Sequence, residues 1–344
     1  MSEQMETRVE IADFEDWRDI AAEAADLLRD GQVVGLPTET VYGLAADALS
    51  EKAVAEIFRV KGRPSYDPLI VHLGGWRDLK KVAEVPEDIE DAVRELTQQY
   101  WPGPLTLVLP KKAIVPDAVT AGLSTVAVRV SAHEVMREVA RIVGPIAAPS
   151  ANLFGRISPT SAAAVLAELG GEIPLIIDGG ACREGLESTI IKIEPGEKKP
   201  LITILRPGPV TREELRKFGT VKKARPAKSD EEVEVPGQIA SHYAPNATVI
   251  ILEKDQEFTA EEGKSYALLT YRGDSKWEEA HEWVAQEALS PGSGKLAEAG
   301  VRLFHMLRKL DDAKPDYILV EPLTETGVGV AMMDRLRRAA SKES

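Results

Sequence analysis

The chain is 344 residues long and 44% hydrophobic, with 56 acidic against 42 basic side chains and a formal net charge of -14. That length suits two domains of about 150 residues each, with enough apolar content for real cores. The acidic surplus disfavours broad non-specific binding to DNA or RNA, while a small basic pocket stays compatible with it, because the local field decides such binding. A single cysteine, Cys182, excludes an internal disulfide framework, and its neighbours Arg183 and Glu184 predict a surface turn. No histidine–cysteine cluster has metal-ligand spacing, so no protein-held metal is expected. The N-terminal Met-Ser-Glu-Gln-Met-Glu is too acidic and polar for a signal peptide. No apolar run approaches the roughly 20 residues that span a bilayer. A cytoplasmic protein with no membrane partner is the expectation.

Residues 14–30 place Trp17, Ile20, Ala21, Ala24 and Leu28 at helical spacing, and Gly31 ends that helix. A short strand over 33–36 runs into the polar Pro37-Thr38-Glu39-Thr40. Residues 51–60 read as a helix with Val54, Ile57 and Phe58 on one face and Ser50 as its N-cap. Residues 69–73 form a buried strand after Pro68. A helix over 89–100 stops at Trp101-Pro102-Gly103-Pro104, and strands follow over 105–109 and 125–130. Residues 146–148 lead to another polar strand end at Ser150. An alanine-rich helix over 160–169 precedes strands at 175–178, 189–193 and 202–205. Helices are fewer than strands, and several strands lie too close together for right-handed helical crossovers, so the sheet is mixed or partly antiparallel. Residues 222–232 are charged and too poor in apolar side chains to pack, which marks the best domain boundary. Beyond it, strands over 247–252, 265–270 and 317–320 and helices over 277–289, 294–310 and 328–340 make a second, small α/β domain.

Five polar segments stand at strand or helix ends, where α/β folds build their chemistry. The first is Gly35 to Leu44, with two hydroxyls and a carboxylate at Thr38, Glu39 and Thr40. The second is Lys61-Gly62-Arg63-Pro64. Its cations suit a helix C-terminus for structural reasons alone. They also suit a phosphate or carboxylate clamp, since on extended backbone a two-residue spacing puts both on one side. In Ala148 to Arg156, Ser150 and Asn152 are placed either to hydrogen-bond a ligand or to cap local turns. Glu187-Ser188-Thr189 and Leu205-Arg206-Pro207-Gly208 complete the set. None is a phosphate-binding loop or dinucleotide fingerprint, so a nucleotide site here needs another architecture.

In this order the segments resemble the long form of the threonylcarbamoyl-adenylate synthase family, over essentially the whole chain. Pro37 to Leu44, Lys61 to Pro64, Trp101-Pro102-Gly103-Pro104-Leu105-Thr106 and Ala148 to Asn152 carry the likeness, with Glu187-Ser188-Thr189 and Leu205 to Gly208. So do Pro236-Gly237, His242-Tyr243-Ala244-Pro245, Asp334-Arg335-Leu336 and Arg338-Ala339-Ala340. The resemblance implies an α/β fold: a YrdC-like twisted mixed sheet with a concave active face, plus a small Rossmann-like α/β C-terminal domain. The expected division is a catalytic domain over 1–215, a linker and active-site lid over 216–245, and the C-terminal domain over 246–344.

The resemblance also implies an activity. The family joins L-threonine, bicarbonate and ATP into threonylcarbamoyl-AMP and pyrophosphate, with Mg2+ on the ATP phosphates. The product supplies a group that a separate partner complex places on an adenosine of tRNAs reading codons that start with A; direct tRNA contact is left open. By this likeness Lys61, Arg63, Ser150, Asn152, Arg206 and Tyr243 hold the nucleotide, and Thr38, His72, Arg129 and Ser188 surround the threonine. Lys61, Arg63 and Thr38 are the expected catalytic group. Apart from the likeness, His72 reads as a buried, satisfied core histidine. Glu39 is placed to orient the two threonines or to meet a cation rather than to act as a general base. One departure is Asp67, where the family often has asparagine; a carboxylate there either pairs with the nearby cations or caps the next turn.

Overall fold

The computed structural model describes residues 5–13, 15–224, 233–238, 243–253 and 257–341. Its first elements in chain order are β1 (Arg8–Ile11), α1 (Trp17–Arg29), β2 (Val34–Leu36), β3 (Gly43–Asp47), α2 (Glu51–Lys61), β4 (Ile70–His72), α3 (Leu79–Val82) and α4 (Glu90–Tyr100). Then come β5 (Leu105–Pro110), α5 (Asp117–Thr120), β6 (Thr125–Arg129), α6 (Glu134–Val143), β7 (Ile146–Ala147), α7 (Ala162–Leu169) and β8 (Leu175–Asp178). The first half closes with β9 (Thr189–Glu194), β10 (Leu201–Arg206), α8 (Arg212–Leu215) and β11 (Thr220–Lys223).

Among the described residues these strands make one sheet in the order β1-β8-β2-β3-β7-β4-β6-β5-β9-β10-β11. It is mixed, as expected: β4 and β6 run parallel, while β2 and β3, β5 and β6, and β9 and β10 run antiparallel. Strand periodicity sorts the core. On β8, Leu175 and Ile177 pack with α1 and α6, while Ile176 between them joins the larger core on the opposite face. The α2 helix forms for local reasons that the sequence states. The Ser50 hydroxyl accepts the Ala53 N–H at 3.3 Å, and Gly62 ends the helix in the left-handed region at φ 61°, which costs glycine little. Its buried face of Ala53, Val54, Ile57 and Val60 stabilises the sheet by roughly 1.5–3 kcal/mol for each large aliphatic side chain.

On one face of β4, β5, β6 and β9, Ile70, Val108, Ala127 and Ile190 pack against Val235, a fully buried residue of the segment after β11. The part of the expected linker around Val235 therefore lies against these strands. Residues 225–232 and 239–242, and with them His242, lie outside the described residues.

The second half consists of β12 (Thr248–Ile251), β13 (Tyr266–Thr270), β14 (Ala285–Ala288), α9 (Leu296–Asp312), β15 (Tyr317–Val320) and α10 (Gly329–Ala340). The strands are all parallel in the order β12-β15-β13-β14, which is a small Rossmann-like sheet. The two halves share a core: Val41, Ile157 and Leu186 of the first pack with Leu303, Phe304 and Leu307 of α9.

Three expectations need correction. The helix expected over 277–289 is not there; 285–288 is β14, paired with β13, and Trp277 and Trp283 pack in a cluster with Phe258 and Tyr266. Cys182 is not on a surface turn. It is 4% exposed within the larger core, and burial pushes its thiol up to about 12. Lys61 and Arg63 do not share one side of an extended segment, because Lys61 is the last helical residue and Gly62 turns the chain between them.

Candidate active site

The turn after β2 is built by its own hydroxyls. Thr38 Oγ1 accepts the N–H groups of Thr40 and Val41 at 3.1 and 3.2 Å and donates to the Val41 carbonyl at 2.6 Å. This is the local side-chain turn that short hydroxyl residues favour. It holds Thr40 so that its hydroxyl accepts from Arg129 Nη1 at 2.9 Å. Glu39 lies 2.6 Å from Arg129 Nη2 and also accepts from the Ser131 hydroxyl. Burial raises the Glu39 carboxyl, but Arg129 and Ser131 outweigh it and hold the group below its usual range. Glu39 thus meets a cation. Beside Arg129 in register stands His72, on β4. Burial first, and then Arg129, drive the imidazole down to about 3, so it is neutral at pH 7. Its Nδ1 has no hydrogen-bond partner, so it is buried as the plain sequence reading expects but not satisfied.

Past the α2 helix the two cations part. Lys61, 2% exposed, donates to the Ser150 carbonyl at 2.6 Å and to the Asn152 carbonyl at 2.5 Å. Burial lowers its pKa strongly. Arg63 donates to the Asp67 and Pro68 carbonyls at 3.1 and 2.9 Å and lies 2.8 Å from the Asp67 carboxylate. Asp67 is fully buried; burial pushes its carboxyl up against the pull of Arg63 and Lys61. The Asn152 amide donates to the Leu153 and Arg156 carbonyls and so caps the turn over 152–156.

The third wall comes from β9 and β10. Arg206 Nε and Nη2 donate to the Ser188 carbonyl at 3.2 and 3.1 Å, and Nη2 also to the Ser188 hydroxyl at 3.1 Å. Thr106, from the Trp101 to Thr106 segment, lies 2.8 Å from the same hydroxyl. Gly208 allows this crossing: a Cβ there would lie 2.5 Å from the Thr189 nitrogen. Arg206 Nη1 reaches the Pro236 carbonyl of the linker at 3.2 Å. No carboxylate of the described residues pairs with Arg206. Burial pushes it down to about 10, still charged at neutral pH. Tyr243 closes the wall. Its backbone is left-handed at φ 66°, an unusual state for an aromatic residue. Stacking on Phe304 at 5.5 Å and Arg335 at 5.2 Å from its ring hold it there.

These walls enclose one cavity of about 40 Å³. Thr38, Arg63, His72, Arg129, Ser150, Ser188, Arg206 and Tyr243 line it, together with Pro236 and Gly237 of the linker. Eight of the ten expected site residues therefore meet. Lys61 and Asn152 lie behind the lining, where Lys61 braces the backbone of 150–152 and Asn152 the turn over 152–156. Sequence reasoning assigned no role to Glu187, which lines the cavity and hydrogen-bonds the Ser158 hydroxyl. Arg335, part of a segment that carries the likeness but given no role by it, is fully buried at 2.9 Å from Glu187. A signal was present: Arg335 is a lone charge on the apolar stripe Ala331, Met332, Leu336 and Ala339.

The chain resembles known proteins from end to end. A family model described as telomere recombination matches residues 26–208, and one described as the threonylcarbamoyl-AMP synthase C-terminal domain matches 210–341. The threonylcarbamoyl-AMP synthase of Pyrococcus abyssi is 42% identical, with 92% of this chain and 93% of that protein covered. That of Bacillus subtilis is 38% identical, over 93% and 92%. A crystal structure of P. abyssi Sua5 complexed with L-threonine superposes with a TM-score of 0.84 at 39% identity, covering 97% of each chain. A mixed-sheet domain whose arginine-lined cavity is roofed by a strap from a small parallel-sheet domain is the class that fold and site define. The chain belongs to the threonylcarbamoyl-AMP synthase family, in its two-domain form.

Proposed function

We propose that this protein joins L-threonine, bicarbonate and ATP to give threonylcarbamoyl-AMP and pyrophosphate. The observation that carries the reading is the convergence of Arg63, Arg129 and Arg206 on one buried cavity in a chain of this family. All three reactants bring negative charge. In water their approach is opposed by repulsion; in this cavity three fixed guanidinium groups offset it without reorganising.

Each residue then has a task. Arg129, oriented by Glu39 and Thr40, takes the threonine carboxylate, a planar group that suits its fork. Neutral His72 offers Nδ1 as an acceptor to the threonine amine or hydroxyl. Thr38 shapes that wall, and the Ser188 hydroxyl faces the same substrate. Ser150, Arg63 and Arg206 take the nucleotide, with Tyr243 against it, Lys61 fixing the 150–152 backbone and Asn152 the turn after it. Arg206, lacking a carboxylate partner, has the most to gain from an anion. The threonine amine, as its free base, attacks the carbon of bicarbonate; a C–N bond forms, one C–O bond breaks and water leaves, giving a carbamate. A carbamate oxygen then attacks the α-phosphorus of ATP, the bond to the β-phosphate oxygen breaks, and pyrophosphate leaves. No protein nucleophile is needed.

The described residues hold no cluster of three or more His, Cys, Asp or Glu that could hold a metal. Near the cavity, Glu39, Asp67 and Glu187 each already pair with an arginine. Mg2+ therefore enters as part of the ATP substrate, held by phosphates and water. A cavity of about 40 Å³ admits a few waters and not ATP. The segment carrying Val235, Pro236, Gly237 and Tyr243 must lift for substrates to enter, and it serves as the lid between a catalytic domain and a C-terminal one. The reactive product passes to a separate complex that modifies tRNA. That setting is cytoplasmic, and no helix of the described residues is long and apolar enough to cross a membrane.

The test is pyrophosphate release from ATP, with threonine and bicarbonate each omitted in turn. Release is expected only when both are present. Release that ignores either would overturn the assignment.

A further inference from the structure

We propose that Arg335, on the last helix of the C-terminal domain, is a positioning residue for the anion-binding wall of the cavity, acting through Glu187 and Pro207 on Ser188 and Arg206. The inference rests on the activity above and extends it to a residue that does not line the cavity.

The argument begins with burial. Arg335 is 0% exposed, on the face of α10 that also buries Met332 and Leu336. Packing alone gives no reason to put a guanidinium there, since a buried charge costs far more than a leucine unless every donor is used. Each of its three nitrogens has a partner. Nε reaches Glu187 Oε2 at 2.9 Å, Nη1 reaches Asp334 Oδ2 at 2.8 Å, and Nη2 reaches the Pro207 carbonyl at 3.0 Å.

Two of these contacts sit one residue away from the Arg206–Ser188 pair, on either side of it. Glu187 precedes Ser188, and Pro207 follows Arg206. A single planar group from the other domain thus clamps both strand ends whose side chains meet in the wall. The opposite oxygen of Glu187 takes the Ser158 hydroxyl, so the carboxylate is fixed from two directions. Glu187 feels the result: burial raises its carboxyl, and Arg335 and then Arg206 bring it below its usual range. The same guanidinium lies 5.2 Å from the ring of Tyr243, which roofs the cavity. Loosening Arg335 frees the two backbones to shift and leaves Glu187 to draw more strongly on Arg206, which makes no direct ion pair among the described residues.

A second inter-domain arginine supplies the control. Arg308 of α9 pairs with Glu168 at 2.8 Å and donates to the Ile157 carbonyl at 2.7 Å, and neither partner lines the cavity. A merely structural bolt predicts the same consequences for both arginines. In the full-length protein, AMP binding by calorimetry and pyrophosphate release should be compared for Arg335→Lys and Arg308→Lys. Arg335→Lys is expected to weaken AMP binding and lower kcat/KM at least ~10-fold, the worth of one charge-assisted contact, with Arg308→Lys within ~2-fold of the parent. In an Arg206→Lys background, Arg335→Lys should cost less than ~2-fold further, because the group it positions is already impaired. Equal effects of Arg335→Lys and Arg308→Lys, or losses that add fully with Arg206→Lys, overturn the proposal. If Arg335→Lys gives no cooperative thermal transition, the Glu187→Gln/Arg335→Met pair removes both buried charges together and restores a folded protein. Wild-type AMP affinity in that pair also overturns the proposal. A parent protein that binds AMP but releases pyrophosphate without threonine would sink the assigned activity instead, and the AMP series would still decide the role of Arg335.

Discussion

Among the described residues Arg206 makes no direct ion pair with a carboxylate, whereas Arg63 and Arg129 each do. Arg63 is tied to Asp67 and Arg129 to Glu39, so each must trade part of an existing pair for a substrate anion. For Arg63 that trade is measurable. Arg63→Ala should lower kcat/KM in the pyrophosphate assay by at least ~10-fold, since one charge-assisted contact is worth about 1.5 kcal/mol or more. Asp67→Asn keeps the size of the side chain and removes its charge; KM for ATP is expected to fall by roughly 3-fold or more, because the carboxylate no longer competes with phosphate. A rise in KM would mean that the carboxylate holds Arg63 in its working position. His72 gives a pH prediction. Its imidazole titrates near 6.5 when unfolded and about 3 in the fold. Between those values the unfolded chain binds a proton that the folded chain refuses. Stability is therefore complete above about pH 6.5 and falls as pH drops, by about 2 kcal/mol from pH 7 to 5. Burial pushes His133 down as well, and it adds in the same sense. Urea unfolding at both pH values should show a smaller loss in His72→Gln; an unchanged loss would remove His72 as the cause.

At the scale of elements, what the sequence made legible was whatever local chemistry decides. The Ser50 cap, the apolar face of α2 and the strand ends at Leu36 and Arg206 follow from side chains within a few residues of one another. The α6 helix escaped because its buried face is Val135, Met136, Val139 and Ala140, and the valines fit a strand as readily as a helix. β14 forms where the local pattern predicts a helix, because pairing with β13 outweighs that pattern. The turn at Gly62 shows the same limit within one motif. Spacing placed two cations together, but a left-handed glycine sends Lys61 to brace 150–152 and Arg63 to face the cavity. The members of the site could be named from their polar segments. Which of them face inward, and which acid neutralises which arginine, depends on contacts between residues far apart in sequence, as with Glu39 and Arg129.

At the scale of the molecule, the described part of the linker between the two halves packs on the first of them. Val235 packs on the sheet, Pro236 accepts from Arg206, and the Ala244 N–H donates to the Gly155 carbonyl at 2.8 Å. Lifting that segment exposes the chain around it to a protease, and substrates that hold it shut protect it. Cleavage within residues 222–245 should slow at least ~5-fold when ATP and threonine are present together. An unchanged rate would show that the segment does not close over them.

Val41, Ile157 and Leu186 are covered by the second half rather than by their own domain. Ending the chain at the linker would turn those three side chains toward water and strip Glu187 of its buried counter-charge. The first half of this chain has thus become dependent on its neighbour. The join between the two halves is therefore recorded in the interior of the first half as well as in the linker.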